Sequence, residues 1–267
     1  MALGGAVAWA ATSSTGVSLP AVPPDRLVSS VLHAGLSRSP IAGRVDAWAN
    51  LGLPDLAGDG YAPEGSVLAG LTGVHHLRVW ESRDGLRLTE VLPTNERSIF
   101  VSHVTRQGWA WDSSTFTAYR LPLPEAPAGE PPAARAAGPA EYPDPVALSR
   151  YLLSAAGPTT AVRVDGTIRV AGRAAYHLVI EPRTPRTLIG RIDIGIDAQH
   201  RVPLSVSITP RSGGQPAMWA RFTSVDFGPV DPSVYRFSPP RGARVETARP
   251  GVAPAIGGPL GIQAGLT

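Results

Sequence analysis

Apolar residues recur along this chain with two different periods. Over residues 25–38 (DRLVSSVLHAGLSR), Leu27, Val28, Val31, Leu32 and Leu36 repeat at helical spacing, and Asp25 is placed as an N-cap after Pro23-Pro24. That spacing predicts an amphipathic helix. From residue 43 the period becomes two. Residues 43–50, 76–82, 86–92, 97–105, 108–112 and 116–121 read as short strands, and 51–65 (LGLPDLAGDGYAPEG) reads as a loop. The breaks carry turn chemistry, including an Asp84-Gly85 hairpin signal and Gly108 after Arg106-Gln107. The pattern predicts an antiparallel meander.

Eight prolines punctuate Ala and Glu over 122–145, a composition that cannot continue a ladder and predicts an exposed connection. Asp144-Pro145 then opens a second helix over 146–156 (VALSRYLLSAA), with Leu152 and Leu153 on its apolar stripe, and Gly157-Pro158 stops it. Further strands follow. Residues 161–170 read as a hairpin about Asp165-Gly166, then 174–181, 188–197, 203–209 and 217–227 alternate apolar with polar. About ten to twelve strands with two helices predict an α+β fold built on one highly curved antiparallel sheet, because that many strands curl. The helices, through Leu27, Val31, Leu32, Leu36, Leu152 and Leu153, are left to cover its concave face.

Composition narrows the chemistry. The 267 residues contain no cysteine, which removes disulfides, Cys-based zinc sites, iron–sulfur clusters and thiol nucleophiles. All 24 basic residues are Arg, set against 21 acidic ones for a net charge of +3, and they are spread singly along the chain. A nucleic-acid binder concentrates its cations on one stripe, so nucleic acid is not an expected partner. No G-x-S-x-G, P-loop, H-E-x-x-H or G-x-G-x-x-G occurs. His75 and His76 are strand neighbours and point to opposite faces, so they cannot chelate one ion together. His103 and His177 have no carboxylate at motif spacing, and Asp193 and Asp197, interleaved with Arg191, read as a solvated outer face. No catalytic residue, cofactor or metal site is therefore expected.

Residues 1–24 stand apart. The stretch 1–11 (MALGGAVAWAA) is apolar with small residues, and Ala8-Trp9-Ala10 has the small-x-small form of a signal-peptidase site, although no Arg precedes Arg26. It reads as a signal-peptide-like segment or the remnant of a membrane anchor, followed by a spacer. This predicts an extracytoplasmic chain, secreted or held at the outer face of the cytoplasmic membrane.

Several short motifs resemble one family. Leu51-Gly52-Leu53-Pro54 is followed by 71–80 (LTGVHHLRVW), by 109–114 (WAWDSS) and by 170–178 (VAGRAAYHL). The order continues with 196–204 (IDAQHRVPL), 222–227 (FTSVDF) and 235–243 (YRFSPPRGA). Across roughly residues 25–246, in an order that respects the alternation above, the chain resembles actinobacterial proteins of the LolA-like superfamily. These are described as outer-membrane lipoprotein carriers or MucB/RseB N-terminal-domain proteins. The resemblance implies an open, unclosed β-barrel whose apolar concave face is lidded by helices and holds acyl chains. It implies a single domain over 25–246, carrying the Pro-rich insert at 122–145 and trailed by a flexible tail at 247–267. No family catalytic residue exists to carry over.

On alternation, the residues that read inward are Leu77, Val79, Ile99, Val101, Leu178, Ile180, Ile192, Ile194, Ile196, Met218 and Phe222. Trp109 and Trp111 share one face of a short strand and either wall a ligand cavity or cap the core, while Trp48 and Trp219 fall opposite the apolar face and suit a partner or membrane interface. Two readings of the inward set stand. Either it packs against the two helices, or it encloses the acyl chains of a lipid or lipoprotein. The function expected is that of a monomeric, non-enzymatic carrier or sensor. The alternative is a regulatory module that binds the extracytoplasmic domain of a membrane partner such as an anti-sigma factor.

Overall fold

The computed structural model describes residues 18–37, 39–49, 73–123, 146, 149, 153 and 159–248. Residues 1–17 of the expected leader and spacer (1–24), the loop at 51–65, the Pro-rich stretch from 124 to 145, the tail from 249, Leu152 and the Leu36 side chain lie outside them.

Helix α1 spans Pro24–Ser37. Pro24 occupies its first position, where a missing N–H costs nothing, and the Leu27 N–H donates to the Pro23 carbonyl at 3.0 Å. Asp25 is therefore inside the first turn, not the N-cap, and its carboxylate complements the positive end of the helix. Leu27 and Val31 are fully buried, whereas Leu32 is exposed, contrary to its expected place on the stripe. At 3.6 residues per turn Leu32 sits about 140° around the helix from Leu27, too far to share its contacts. None of the described helices is long and apolar enough to cross a membrane.

Among the described residues, twelve strands form one sheet. The first six are β1 (Ile41–Ala49), β2 (Gly73–Ser82), β3 (Gly85–Val91), β4 (Glu96–Ser102), β5 (Gln107–Asp112) and β6 (Thr117–Leu121). The second group is β7 (Thr160–Val170), β8 (Arg173–Pro182), β9 (Ile189–Asp197), β10 (Pro203–Pro210) and β11 (Met218–Asp226), with β12 (Arg244–Thr247) last. Their order is β12-β6-β5-β4-β3-β2-β1-β11-β10-β9-β8-β7, so two antiparallel meanders are joined where β1 pairs with β11. The end strands β12 and β7 do not pair with each other, and the sheet is unclosed. Contacts of β7 with β9 and β11, beyond its neighbour β8, show that the second meander curls on itself.

One expected hairpin is absent. Asp165-Gly166 does not turn the chain but forms a β-bulge within β7, where the register with β8 shifts between Val164 and Thr167 and Gly166 takes φ 82°. The reversal falls at Ala171-Gly172, both with positive φ, as a two-residue hairpin requires. Likewise the β2–β3 turn is Arg83-Asp84, and Gly85 is the first residue of β3. A side chain there would collide with the Val101 carbonyl oxygen and meet the Tyr235 ring at 2.6 Å, so close approach requires this glycine.

After β11 the chain crosses one face of the first meander. A short 3-10 helix, Pro232–Tyr235, is capped by Asp231, whose carboxylate accepts from the Ser233 N–H at 2.8 Å, and it buries Tyr235 against β3 and β4. Phe237 follows, and β12 then adds in parallel to β6 at the sheet edge.

Candidate ligand-binding face

The two faces of the sheet differ in chemistry. The inner face is the one that carries Leu77, Val79, Leu178 and Ile194. On it Ile194 lies between Leu178 and Val206, Ile192 between Ile180 and Ile208, and Val79, Leu88, Ile99 and Ala110 run in register across four strands. Leu77, Val79, Ile99, Leu178, Ile180, Ile192, Ile194, Ile196 and Phe222 are buried in one cluster, while Val101 and Met218 are half-buried against it. Leu27 and Val31 of α1 belong to the same cluster, as do the helical residues Val146 and Leu153.

Trp109 and Trp111 do not join them. Their strand neighbour Ala110 takes the inner position, so period two sends both indoles to the outer face. There they pack with Phe100 and Phe237, the Phe237 ring stacking on Phe100 at 4.7 Å and lying 5.9 Å from Trp109 and 5.7 Å from Trp111. Of the two readings left open for this pair, the geometry selects a packing role beneath the C-terminal segment.

At one end of the strands the inner face changes character. In the second meander it ends in Met218, Ile208 and Val162, all half-buried and apolar. In the first meander the corresponding end carries charge. His75 Nδ1 and Glu90 Oε1 lie 2.8 Å apart, Arg97 Nη1 is 3.7 Å from Glu90 Oε2, and Arg97 Nε is 3.5 Å from Asp112 Oδ2. Glu90 and Asp112 are 1% and 2% exposed. Asp112 Oδ1 also accepts from the Ser114 N–H and hydroxyl. His75 Nε2, Glu90 Oε2 and Arg97 Nε make no hydrogen bond, the 3.5 Å approach to Asp112 being an ion pair without hydrogen-bond geometry. Buried polar atoms of this kind are costly unless something satisfies them. Sequence reading passed over these residues. The signal was present, because Glu90 is in phase with Leu86 and Leu88, and Arg97 with Ile99 and Val101, so charges occupy apolar-phase positions.

The outer face of β7, β8 and β9 holds a second ionic group. Asp193 and Asp197 are not solvated as expected but 6% and 1% exposed. His177 Nε2 lies 2.7 Å from Asp193 Oδ1, and the Arg191 guanidinium donates to the same carboxylate at 2.7 Å, so His177 has a carboxylate partner across the strand pair. Burial pushes the Asp193 carboxyl up, but hydrogen bonds from His177 and Arg191 more than offset it, and its pKa lies below the ordinary value. Asp197 follows the same logic: burial raises it, while Arg173 and the backbone N–H groups of His200 and Gln199 bring it below the ordinary value. His75 and His76 do point apart, His75 to Glu90 and His76 Nδ1 to Asp46 at 2.8 Å. Among the described residues no three His or carboxylate side chains are grouped to hold a metal ion.

No family model and no curated protein matches the chain. Among solved structures, a crystal structure of MucB is similar over 86% of this chain and 68% of its own, at 16% identity and a TM-score of 0.47. An uncharacterized conserved protein from Thermus thermophilus is similar over 84% and 99%, at 12% identity and a TM-score of 0.45. A LolA superfamily protein from Nitrosomonas europaea is similar over 81% and 99%, at 9% identity and a TM-score of 0.31.

Proposed function

We propose that this chain is an extracytoplasmic, non-enzymatic carrier or sensor that holds the acyl chains of a lipid or lipoprotein against the inner face of its unclosed sheet, within a single domain over 25–246. One observation carries the reading: the apolar inner face runs unbroken across the second meander and ends in the half-buried Met218, Ile208 and Val162. An acyl chain laid there gains about 0.8 kcal/mol per buried methylene and needs no polar chemistry. Entry is at the end marked by Met218, with α1 and the second helix as lid. The ligand's polar part lies toward His75, Glu90, Arg97 and Asp112, where three buried polar atoms have no hydrogen-bond partner.

Mass spectrometry of an organic extract from the gently purified protein tests this, with the rim variant Met218→Asp beside wild type. Near-stoichiometric lipid in wild type, and its loss from a variant with an unchanged circular dichroism spectrum, is the expected result. A lipid-free wild type that also takes up no offered phospholipid or acylated peptide overturns it.

One observation favours the regulatory alternative. The centre of the inner face, from Leu77 to Ile194, is fully packed by its own helices and strands. A filled core of this kind suits a module that binds the extracytoplasmic domain of a membrane partner such as an anti-sigma factor, and a lipid-free protein in the same extraction supports it.

A further inference from the structure

The end of the sheet that carries Met218 also carries an exposed apolar set on loops and on the outer face. Leu188, between β8 and β9, is 89% exposed, and Val74, at the start of β2, is 58% exposed. Between them in the strand order, Trp48 of β1 pairs in register with both Val74 and Trp219 of β11, and both indoles are partly exposed. Leu188 is held out by a stiff support. The Arg211 guanidinium donates to the carbonyls of Pro182, Thr184 and Thr187 at 3.0, 2.9 and 3.0 Å, and the Arg211 N–H donates to the Leu188 carbonyl at 2.7 Å.

Among the described residues, the exposed charge around this set is positive. Arg183 and Arg186 are exposed on the same loop, and the Arg221 guanidinium lies over the Trp219 ring at 5.2 Å. The nearby described carboxylates are engaged: Asp165 and Glu181 by Arg163 and Arg191, Asp193 by Arg191 and His177, and Asp46 by His76. Among the described residues, Arg183, Arg186 and Arg211 form no ion pair with any of them. The set is thus the protruding Leu188 and the partly exposed Trp48 and Trp219, with Arg183 and Arg186 on the Leu188 loop and Arg221 over Trp219. A bilayer interface accepts such a set: the Leu enters the acyl boundary, the indoles sit at headgroup depth and the guanidinium groups meet phosphates.

We propose that this end of the sheet is a docking surface for an anionic lipid leaflet. The proposal rests on the lipid-binding reading, to which it adds the place of exchange, since Leu188, Trp219 and the rim residue Met218 lie at the same end and an acyl chain can pass between leaflet and inner face without crossing water.

The test is co-sedimentation of the full chain with phosphatidylcholine–phosphatidylglycerol vesicles and with pure phosphatidylcholine vesicles, at low and high salt. Binding to the anionic vesicles alone, weakened by salt and reduced at least about tenfold both in Arg183→Glu/Arg186→Glu and in Leu188→Asp, is the expected result. These side chains are exposed, and unchanged thermal unfolding of each variant shows that the loss is not of the fold. No binding, equal binding to both vesicle types, or binding unmoved by the substitutions overturns the proposal, as does binding only to native membranes whose proteins are intact, which indicates a protein partner. The outcome separates from the carrier reading: extractable lipid without vesicle binding overturns the docking surface alone, and vesicle binding by a protein that is lipid-free and takes up no offered phospholipid or acylated peptide overturns the carrier alone.

Discussion

Arg97 lies between two carboxylates on the inner face, closest to Glu90 on one side and Asp112 on the other, with all three side chains at least nine-tenths buried. Removing the cation leaves the Glu90 and Asp112 carboxylates buried without the guanidinium between them, and only His75 beside Glu90. Arg97→Met is therefore expected to cost about 3–5 kcal/mol in urea unfolding, the range for breaking a buried ion pair from one side. The triple change Arg97→Met/Glu90→Gln/Asp112→Asn removes the charges together and is expected to recover most of that loss. If it does, the sheet does not need these charges to fold, and their retention on an otherwise apolar face is better explained by what they contact in function. A triple variant as unstable as the single one assigns the group to structure instead.

The segment after β11 shows what an element can do that its local sequence does not announce. Phe237 stacks on Phe100 and touches both Trp109 and Trp111, so one ring from a Pro-rich stretch holds the outer face of β4 and β5. Phe237→Ala is expected to cost about 2–3 kcal/mol, less than the ~3–5 of a fully buried Phe because this ring is half-buried. Tryptophan emission should shift to the red as the two indoles meet water, and unchanged emission would separate the C-terminal segment from the aromatic cluster. Much at this scale was legible. Alternation located the strands within a few residues, and it placed Leu178, Ile180, Ile192 and Ile194 together because period two is a local property. What was not legible depends on distant parts of the chain. The Asp165-Gly166 pair satisfies a bulge as well as a hairpin, and only the pairing of β8 decides between them. Trp109 and Trp111 read equally as cavity wall or core cap, because nothing in their own strand says what covers that face. Phe237 covers it from more than a hundred residues away in the chain, and the same blindness hid the burial of Asp193 and Asp197.

For the whole molecule, the weak point of an unclosed sheet is its free edge, and here the second meander ends on β7. Beside that edge the outer face of β7, β8 and β9 is tied by Asp193 to His177 and Arg191, and Asp197 ties Arg173 to the turn carrying His200. Both carboxyls titrate below the ordinary value in the folded chain, so between the folded and unfolded pKa values the unfolded state binds more protons. Their contribution to stability is thus fully present above the ordinary carboxylate range, and it is lost as the pH falls through the depressed folded values. Melting temperature followed from neutral pH downward should drop steeply through that acidic window. In Asp197→Asn, where the side-chain oxygen can still accept from the backbone N–H groups of Gln199 and His200 but no proton is taken up, the neutral melting temperature should be lower and the acid limb shallower. If instead wild type and variant lose stability in parallel as the pH falls, the acid sensitivity of this sheet lies elsewhere, and the buried Glu90–Arg97–Asp112 group is the next to test by the same substitution.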